Sequence, residues 1–187
     1  MIDRDEEFAL MKRVGRGDAA SYKILAEEHL RSIVNYSYRL LTDRSEAEDV
    51  AQETFLRLWT HASGWRPQSR LSAWLHRVAH NLCVDRLRRR VEQNAEGIER
   101  FQATDRPSEL LARKQLAQVV EDALAELPER QRAAIALVHY QGLSNIEAAQ
   151  VLDISVDALE SLLARARAAL RKNLADIKET NGDGYER

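Results

Sequence analysis

The sequence predicts an all-α chain: two small helical domains joined by a flexible linker, the C-terminal one containing a helix-turn-helix. Three observations carry this. Helical spacing of apolar residues recurs along almost the whole length. Three prolines and seven glycines in 187 residues leave few breakers. And Ser144 to Arg171 reads as two helices hinged at a tight turn. Ser144 and Glu147 form an S-x-x-E capping box, Leu152-Asp153-Ile154 ends the apolar run, and Ser155 caps a second helix with Arg165, Arg167 and Arg171 in its later turns. In such a motif the second helix enters the major groove of duplex DNA.

In chain order, Gly17-Asp18 opens a helix of less regular stripe from Tyr22 to Leu41. From Ala47 the positions Val50, Ala51, Thr54, Phe55, Leu58 and Trp59 keep the i, i+3, i+4, i+7 spacing of an amphipathic helix. His61 to Ser69 holds the turn residues Gly64 and Pro67. Leu71, Trp74, Leu75, Val78, Ala79, Leu82, Cys83 and Leu87 then sustain a stripe over five turns, completing a three-helix unit. Val91 to Pro107 is acidic and lacks a stripe. Ser108 starts a helix through Leu127, and Pro128 suits the first turn of the next, which ends near Gly142. Asn181 onward reads as a frayed tail. The expected boundaries are 1–90, linker 91–107, 108–175 and tail 176–187.

The net charge of −2 hides a segregation. Residues 65–90 carry seven arginines against one acid, a net of +6, and residues 155–172 carry +2. Residues 41–64 carry −3 and residues 91–129 carry −5. Local field sign, more than the total, selects the partner of each segment.

The candidate binding residues follow from this pattern. Opposite the apolar stripe of Arg70 to Arg90 stand Arg70, Arg77, His80, Asn81, Asp85 and Arg88, with Arg86 nearby. Arg and Asn read base edges, and clustered Arg neutralises phosphate. Trp65, in the preceding loop, offers a stacking surface for an unpaired base. A solvated basic face with a core tryptophan would give the same pattern. His76, His80 and Cys83 stand at metal-ligand spacing, i, i+4 and i+7, but no fourth ligand is evident and no metal site is assigned. Asp157 and Glu160 are the oddity, being acids at the start of a helix expected to meet phosphates.

Three blocks carry a family resemblance: EAEDVAQETFLRLW (Glu46 to Trp59), AWLHRVAHNLCVDRLRRR (Ala73 to Arg90) and Leu127 to Arg171. In order and spacing they resemble the bacterial RNA polymerase sigma factors of the extracytoplasmic-function group, over most of residues 17–175. The resemblance implies a transcription initiation factor that binds core RNA polymerase, directs it to promoter DNA and helps melt the minus-ten element. It implies core-polymerase contacts at Asp49, Gln52, Glu53 and Leu56. Minus-ten contacts would fall at Trp65, Arg70, Arg77, His80, Asn81, Arg86 and Arg88, and minus-thirty-five contacts at Glu160, Ser161, Ala164 and Arg165. His76 and His80 stand where the family usually has an aromatic and an arginine; Glu160 replaces a common basic residue. Glu can accept a hydrogen bond from cytosine N4, which makes Glu160 a candidate for specificity; an ordinary outward-facing residue is the other reading. Control by an anti-sigma factor is also implied. The seventeen-residue linker could span about 55 Å, the reach that promoter elements a couple of duplex turns apart require.

Other classes fit less well. No phosphate-cradling glycine loop or nucleophile motif suggests an enzyme, and no cofactor is expected. A stand-alone helix-turn-helix repressor is the alternative, but the N-terminal half shows neither the alternating strands of a receiver domain nor a ligand pocket. The lone cysteine fits a reducing cytoplasm, and no apolar run approaches the roughly 20 residues of a membrane span.

Overall fold

The computed structural model describes residues 2–66, 70–95 and 119–182, and these are helical throughout apart from short turns. The helices are α1 (Arg4–Val14), α2 (Ala19–Leu41), α3 (Arg44–His61), α4 (Leu71–Ala95), α5 (residues 119–125), α6 (Glu129–Ile135), α7 (Asn145–Leu152) and α8 (Val156–Gly182). A 3-10 turn, Ala62–Gly64, follows α3, and a π-helical turn, Ala136–Tyr140, follows α6.

Short polar side chains start the helices. Asp3 accepts from the backbone N–H of Asp5 and Glu6 at 2.9 and 2.8 Å, and Asp43 accepts from that of Glu46 at 2.9 Å. Asp18 accepts from Ala20 N–H at 3.1 Å and from the Ser21 hydroxyl at 2.6 Å. The Ser21 bond is the main reason the Asp18 carboxyl sits below the usual carboxylate range. The expected capping box is present, with Ser144 and Glu147 each bonding the other's backbone N–H. Asp153, at φ 54°, makes the left-handed turn into α8, where Ser155 Oγ accepts from Ala158 N–H at 3.1 Å.

Several boundaries differ from the sequence reading. The N-terminal unit has four helices rather than three, because α1 precedes the three expected. Helix α4 runs to Ala95, so residues 91–95 extend it instead of opening the linker. Pro128 is the N-cap of α6 rather than part of its first turn. The tail begins later than residue 176, since α8 continues to Gly182. The rest of the linker and the helix start at Ser108 lie outside the described residues.

Each stripe points where its spacing dictates. Leu25, Ile33, Tyr36 and Leu40 of α2 meet Val50, Phe55 and Leu58 of α3 and Leu71, Leu75, Ala79 and Cys83 of α4, all buried. Leu10, Met11 and Val14 of α1 close one end, and the absence of a Cβ at Gly15 lets α1 abut Ala62, whose carbonyl would lie 2.8 Å from an added methyl. Burying a side chain of this size contributes about 1.5–3 kcal/mol. In the C-terminal half, Ala133, Ala134, Leu137, Ala148, Val151, Leu159, Leu163 and Ala166 form the helix-turn-helix core. These two cores are contiguous. Helix α7 packs on α4, and α6 with its π turn packs on α2.

Two histidines sit in this junction. His76 is 2% exposed; its Nδ1–H donates to Ser72 C=O at 2.7 Å, and its Nε2 lies 3.2 Å from Ser32 Oγ. The Tyr36 hydroxyl, kept protonated by burial, donates to His80 Nδ1 at 2.9 Å. Burial lowers the pKa of both rings from 6.5 to about 4; for His76 the Ser72 bond opposes the shift, and for His80 the nearby Arg130 charge adds to it. Both are neutral in the folded chain at pH 7.

Because the unfolded chain binds these protons at a higher pH, stability is full above pH 6.5 and is lost as pH falls toward 4. For His76 the loss is on the order of 3 kcal/mol. Thermal unfolding followed by circular dichroism should show the midpoint falling from pH 6.5 to 4, with a shallower slope in His80→Gln. A midpoint independent of pH across that window would contradict neutral burial.

Candidate nucleic-acid interface

Because one stripe of α4 is buried, its other side is presented outward. Arg77, Asn81 and Arg88 are exposed, with Asn81 one turn beyond Arg77. Trp65 leaves the 3-10 turn half-buried and meets Trp74 of α4 edge-to-face, centroids 5.5 Å apart at 85°. Trp65 and Arg77 then line one cleft of about 370 Å³ with His61 and Trp74. An aromatic wall beside a guanidinium suits a base stacked out of a duplex, with its phosphate nearby. His61 and Trp74 were not singled out from sequence; Trp74 was counted only as part of the apolar stripe.

The other candidates of this block divide. Arg70 is exposed and lies 3.7 Å from Glu147 of α7. His80 turns inward to Tyr36 rather than outward. Arg86 reaches back to α3, 3.6 Å from Asp49 and 3.4 Å from Glu46 C=O. Arg90 follows, 2.9 Å from Glu46. Arg88 is exposed between Asp85 at 3.3 Å and Glu92 at 3.9 Å. The +6 charge read from sequence is therefore partly spent within the fold, while Arg66 and Arg77 both line the cleft.

Asp49, Gln52, Glu53 and Leu56 fall at helical spacing along one side of α3. Glu53 is half-buried against Arg57 at 2.8 Å, while Asp49 and Gln52 are exposed. Leu56 is 56% exposed, and Trp59 lies one turn on, held edge-to-face by Tyr22 at 5.2 Å. Leu56 and the 37% exposed Trp59 thus leave apolar surface beside these acids.

On α8, burial of Leu159, Leu163 and Ala166 turns Glu160, Ser161, Ala164 and Arg165 outward together. Ser161 Oγ donates to Asp157 C=O at 3.0 Å. Asn145 of α7 donates from Nδ2 to Glu160 Oε1 at 3.4 Å, a long bond that nonetheless gives the unexpected acid a partner across the turn.

The histidine–cysteine spacing on α4 takes a structural role. His76 and His80 are spent on Ser72, Ser32 and Tyr36. Burial pushes the Cys83 thiol up to about 12, so it is not a thiolate at neutral pH. Among the described residues no three metal-ligating side chains come together.

These faces coincide with two family models, Sigma-70 region 2 over residues 25–92 and Sigma-70 region 4 over residues 117–170. Whole-chain relatives agree. The ECF RNA polymerase sigma factor SigW of Bacillus subtilis is 28% identical over 179 residues, spanning 89% of this chain and 96% of the relative. SigL of Mycobacterium tuberculosis is 34% identical over 167 residues, spanning 87% and 94%. Among solved structures, CnrH in complex with the cytosolic domain of CnrY matches with a TM-score of 0.70 at 27% identity, covering 91% of this chain and 97% of that one. RpoE in complex with the anti-sigma factor NepR from Bartonella quintana also matches at 0.70, with 25% identity, over 82% and 96%. The chain therefore belongs to the extracytoplasmic-function family of RNA polymerase sigma factors, and is a transcription initiation factor.

Proposed function

We propose that the three outward faces divide initiation between them. The side of α3 with Asp49, Gln52, Glu53 and Leu56 docks on a basic surface of core polymerase. The cleft at Trp65 and Arg77, continued by Asn81, takes an extruded base of the minus-ten element, and α8 reads the minus-thirty-five element through Glu160, Ser161, Ala164 and Arg165. The observation that carries this reading is the segregation of faces: acidic with an exposed leucine on α3, aromatic and cationic at the start of α4. Extruding a base costs a few kcal/mol, which stacking on Trp65 and the Arg77 charge would offset. Glu160 is the proposed specificity residue, its carboxylate steadied by Asn145 and able to accept from cytosine N4.

Regulation follows the relatives. CnrH and RpoE were each solved with a protein bound, the latter an anti-sigma factor, and we assign this chain an anti-sigma partner of its own. No helix among the described residues is long and apolar enough to cross a membrane, and we place the chain with the polymerase in the cytoplasm.

Three outcomes test the assignments. In run-off transcription with core polymerase, the wild type yields a promoter-dependent product, and Glu53→Lys loses it together with about tenfold in core affinity; promoter-specific binding with no transcript would favour a stand-alone repressor. Arg77→Ala with Asn81→Ala removes permanganate reactivity at the minus-ten thymines while core binding persists; intact reactivity would misplace the site. Promoter selection with Glu160→Arg shifts the preferred minus-thirty-five bases. A uniform gain in affinity with unchanged bases would reduce Glu160 to a charge effect.

A further inference from the structure

Two imidazoles are built into the junction between the domains, at positions where the family usually has an aromatic residue and an arginine. His76 is a link in a chain of hydrogen bonds that crosses from one domain to the other. Its Nδ1–H donates to Ser72 C=O at 2.7 Å, its Nε2 lies 3.2 Å from Ser32 Oγ, and the Ser32 hydroxyl donates to Gln141 Oε1 at 2.5 Å. Gln141, directly after the π turn, is the end of the chain that belongs to the C-terminal domain. One turn along α4, His80 accepts from the Tyr36 hydroxyl at 2.9 Å and feels the charge of Arg130 of α6. We propose that these two histidines make the docking of the helix-turn-helix domain proton-linked: acidification charges the rings and separates the two domains while each stays folded.

The surroundings of both rings favour the neutral form. Around His76, which is 2% exposed, α2 supplies His29 and Tyr36, the latter edge-to-face with centroids 5.4 Å apart. Glu7 of α1 stands behind His29, 3.4 Å from that ring. The C-terminal domain supplies Gln141, which carries no charge. Around His80 stand Tyr36 of α2, its phenol kept protonated by burial, and the Arg130 guanidinium of α6; Glu129 of α6 acts on Tyr36. A protonated His76 would gain a bond from Nε2–H to Ser32 Oγ. Desolvation outweighs the hydrogen bonds that favour the charged ring, and His29 adds repulsion. At His80 desolvation again leads, and Arg130 adds to it.

Separation removes these penalties from one side. Gln141 and Arg130 leave with the C-terminal domain, and water takes their place. Docked rings take up protons near pH 4 and solvated ones near 6.5, so the open chain binds protons first. Docking is therefore full above pH 6.5 and weakens as pH falls toward 4. A ring that regains its ordinary value on opening multiplies the open-to-docked ratio about tenfold between pH 7.5 and 5.5, and two rings about a hundredfold. Two charge pairs flank the histidines: Arg39 of α2 with Glu121 of α5 at 2.9 Å, and Arg70 with Glu147 of α7 at 3.7 Å. The charge pairs help hold the junction; the histidines give it its response to acid.

Single-molecule energy transfer between dyes on cysteines replacing exposed Ser45 of α3 and Ala168 of α8 counts docked and open molecules, with Cys83 too buried to label. The full-length chains carry Arg39→Glu, which sets like charges against each other at Glu121 and raises the open population into range. Far-ultraviolet circular dichroism follows helicity in parallel. The expected result is an open-to-docked ratio that rises about a hundredfold between pH 7.5 and 5.5, and about tenfold when His76→Gln is added, with helicity unchanged. Gln141→Glu tests the same ring without touching it: a carboxylate against the Ser32–His76 pair stabilises the charged ring in the docked form and flattens the rise. A ratio independent of pH, or the same rise with and without His76→Gln, overturns the proposal. So does helicity that falls in step with the energy transfer, because the chain then unfolds as a whole instead of separating.

Discussion

The rest of the molecule hangs on the burial of one side of α4. Leu71, Leu75, Ala79 and Cys83 lock it against α2 and α3, and in doing so fix which residues of the same helix face outward. Arg77 and Asn81 owe their direction to that stripe, as the Trp65–Trp74 contact owes its place to the turn before it. His76 belongs to the same constraint. A ring with its Nδ1–H held by Ser72 and its Nε2 beside Ser32 can be buried only while neutral, so the polar joint between the two domains is also a stability determinant.

Electrostatics separates what a net charge of −2 conceals. Folding spends part of the basic run internally: Arg86 and Arg90 return to Asp49 and Glu46, tying α4 to α3. These pairs orient the α4 helix and cost it cationic surface. The acids also divide. On α3, Glu46 pairs inward with Arg90 while Asp49 and Glu53 lie on the side of the exposed Leu56, and Glu121 and Glu147 face arginines of the other domain. The same side-chain chemistry thereby lines an outward face in one place and joins the two domains in another.

Much of this was legible because its causes are local. The Ser144–Glu147 box, the Ser155 cap and the stripes of α3 and α4 are written within a turn or two of sequence, and so are the outward positions of α8. What escaped depends on distant partners. Helix α1 is short, and its anchors are distant: buried Leu10, Met11 and Val14 pack on α2, Glu7 accepts from Leu71 N–H, and Gly15 abuts Ala62. The inward turn of His80 needs Tyr36, and Ser32 meets Gln141 across 109 residues. No spacing rule joins Arg39 to Glu121 and Tyr140, although that set closes one end of the domain junction.

Distance across the junction tests the central claim most directly, that the buried stripe of α4 and the helix-turn-helix core are held in one contiguous arrangement. Spin labels at cysteines replacing exposed Ser45 of α3 and Ala168 of α8 can be read by pulsed dipolar spectroscopy, with Cys83 too buried to react. The account predicts a single narrow distance distribution in the free protein. A broad distribution reaching long distances in the free protein would contradict it.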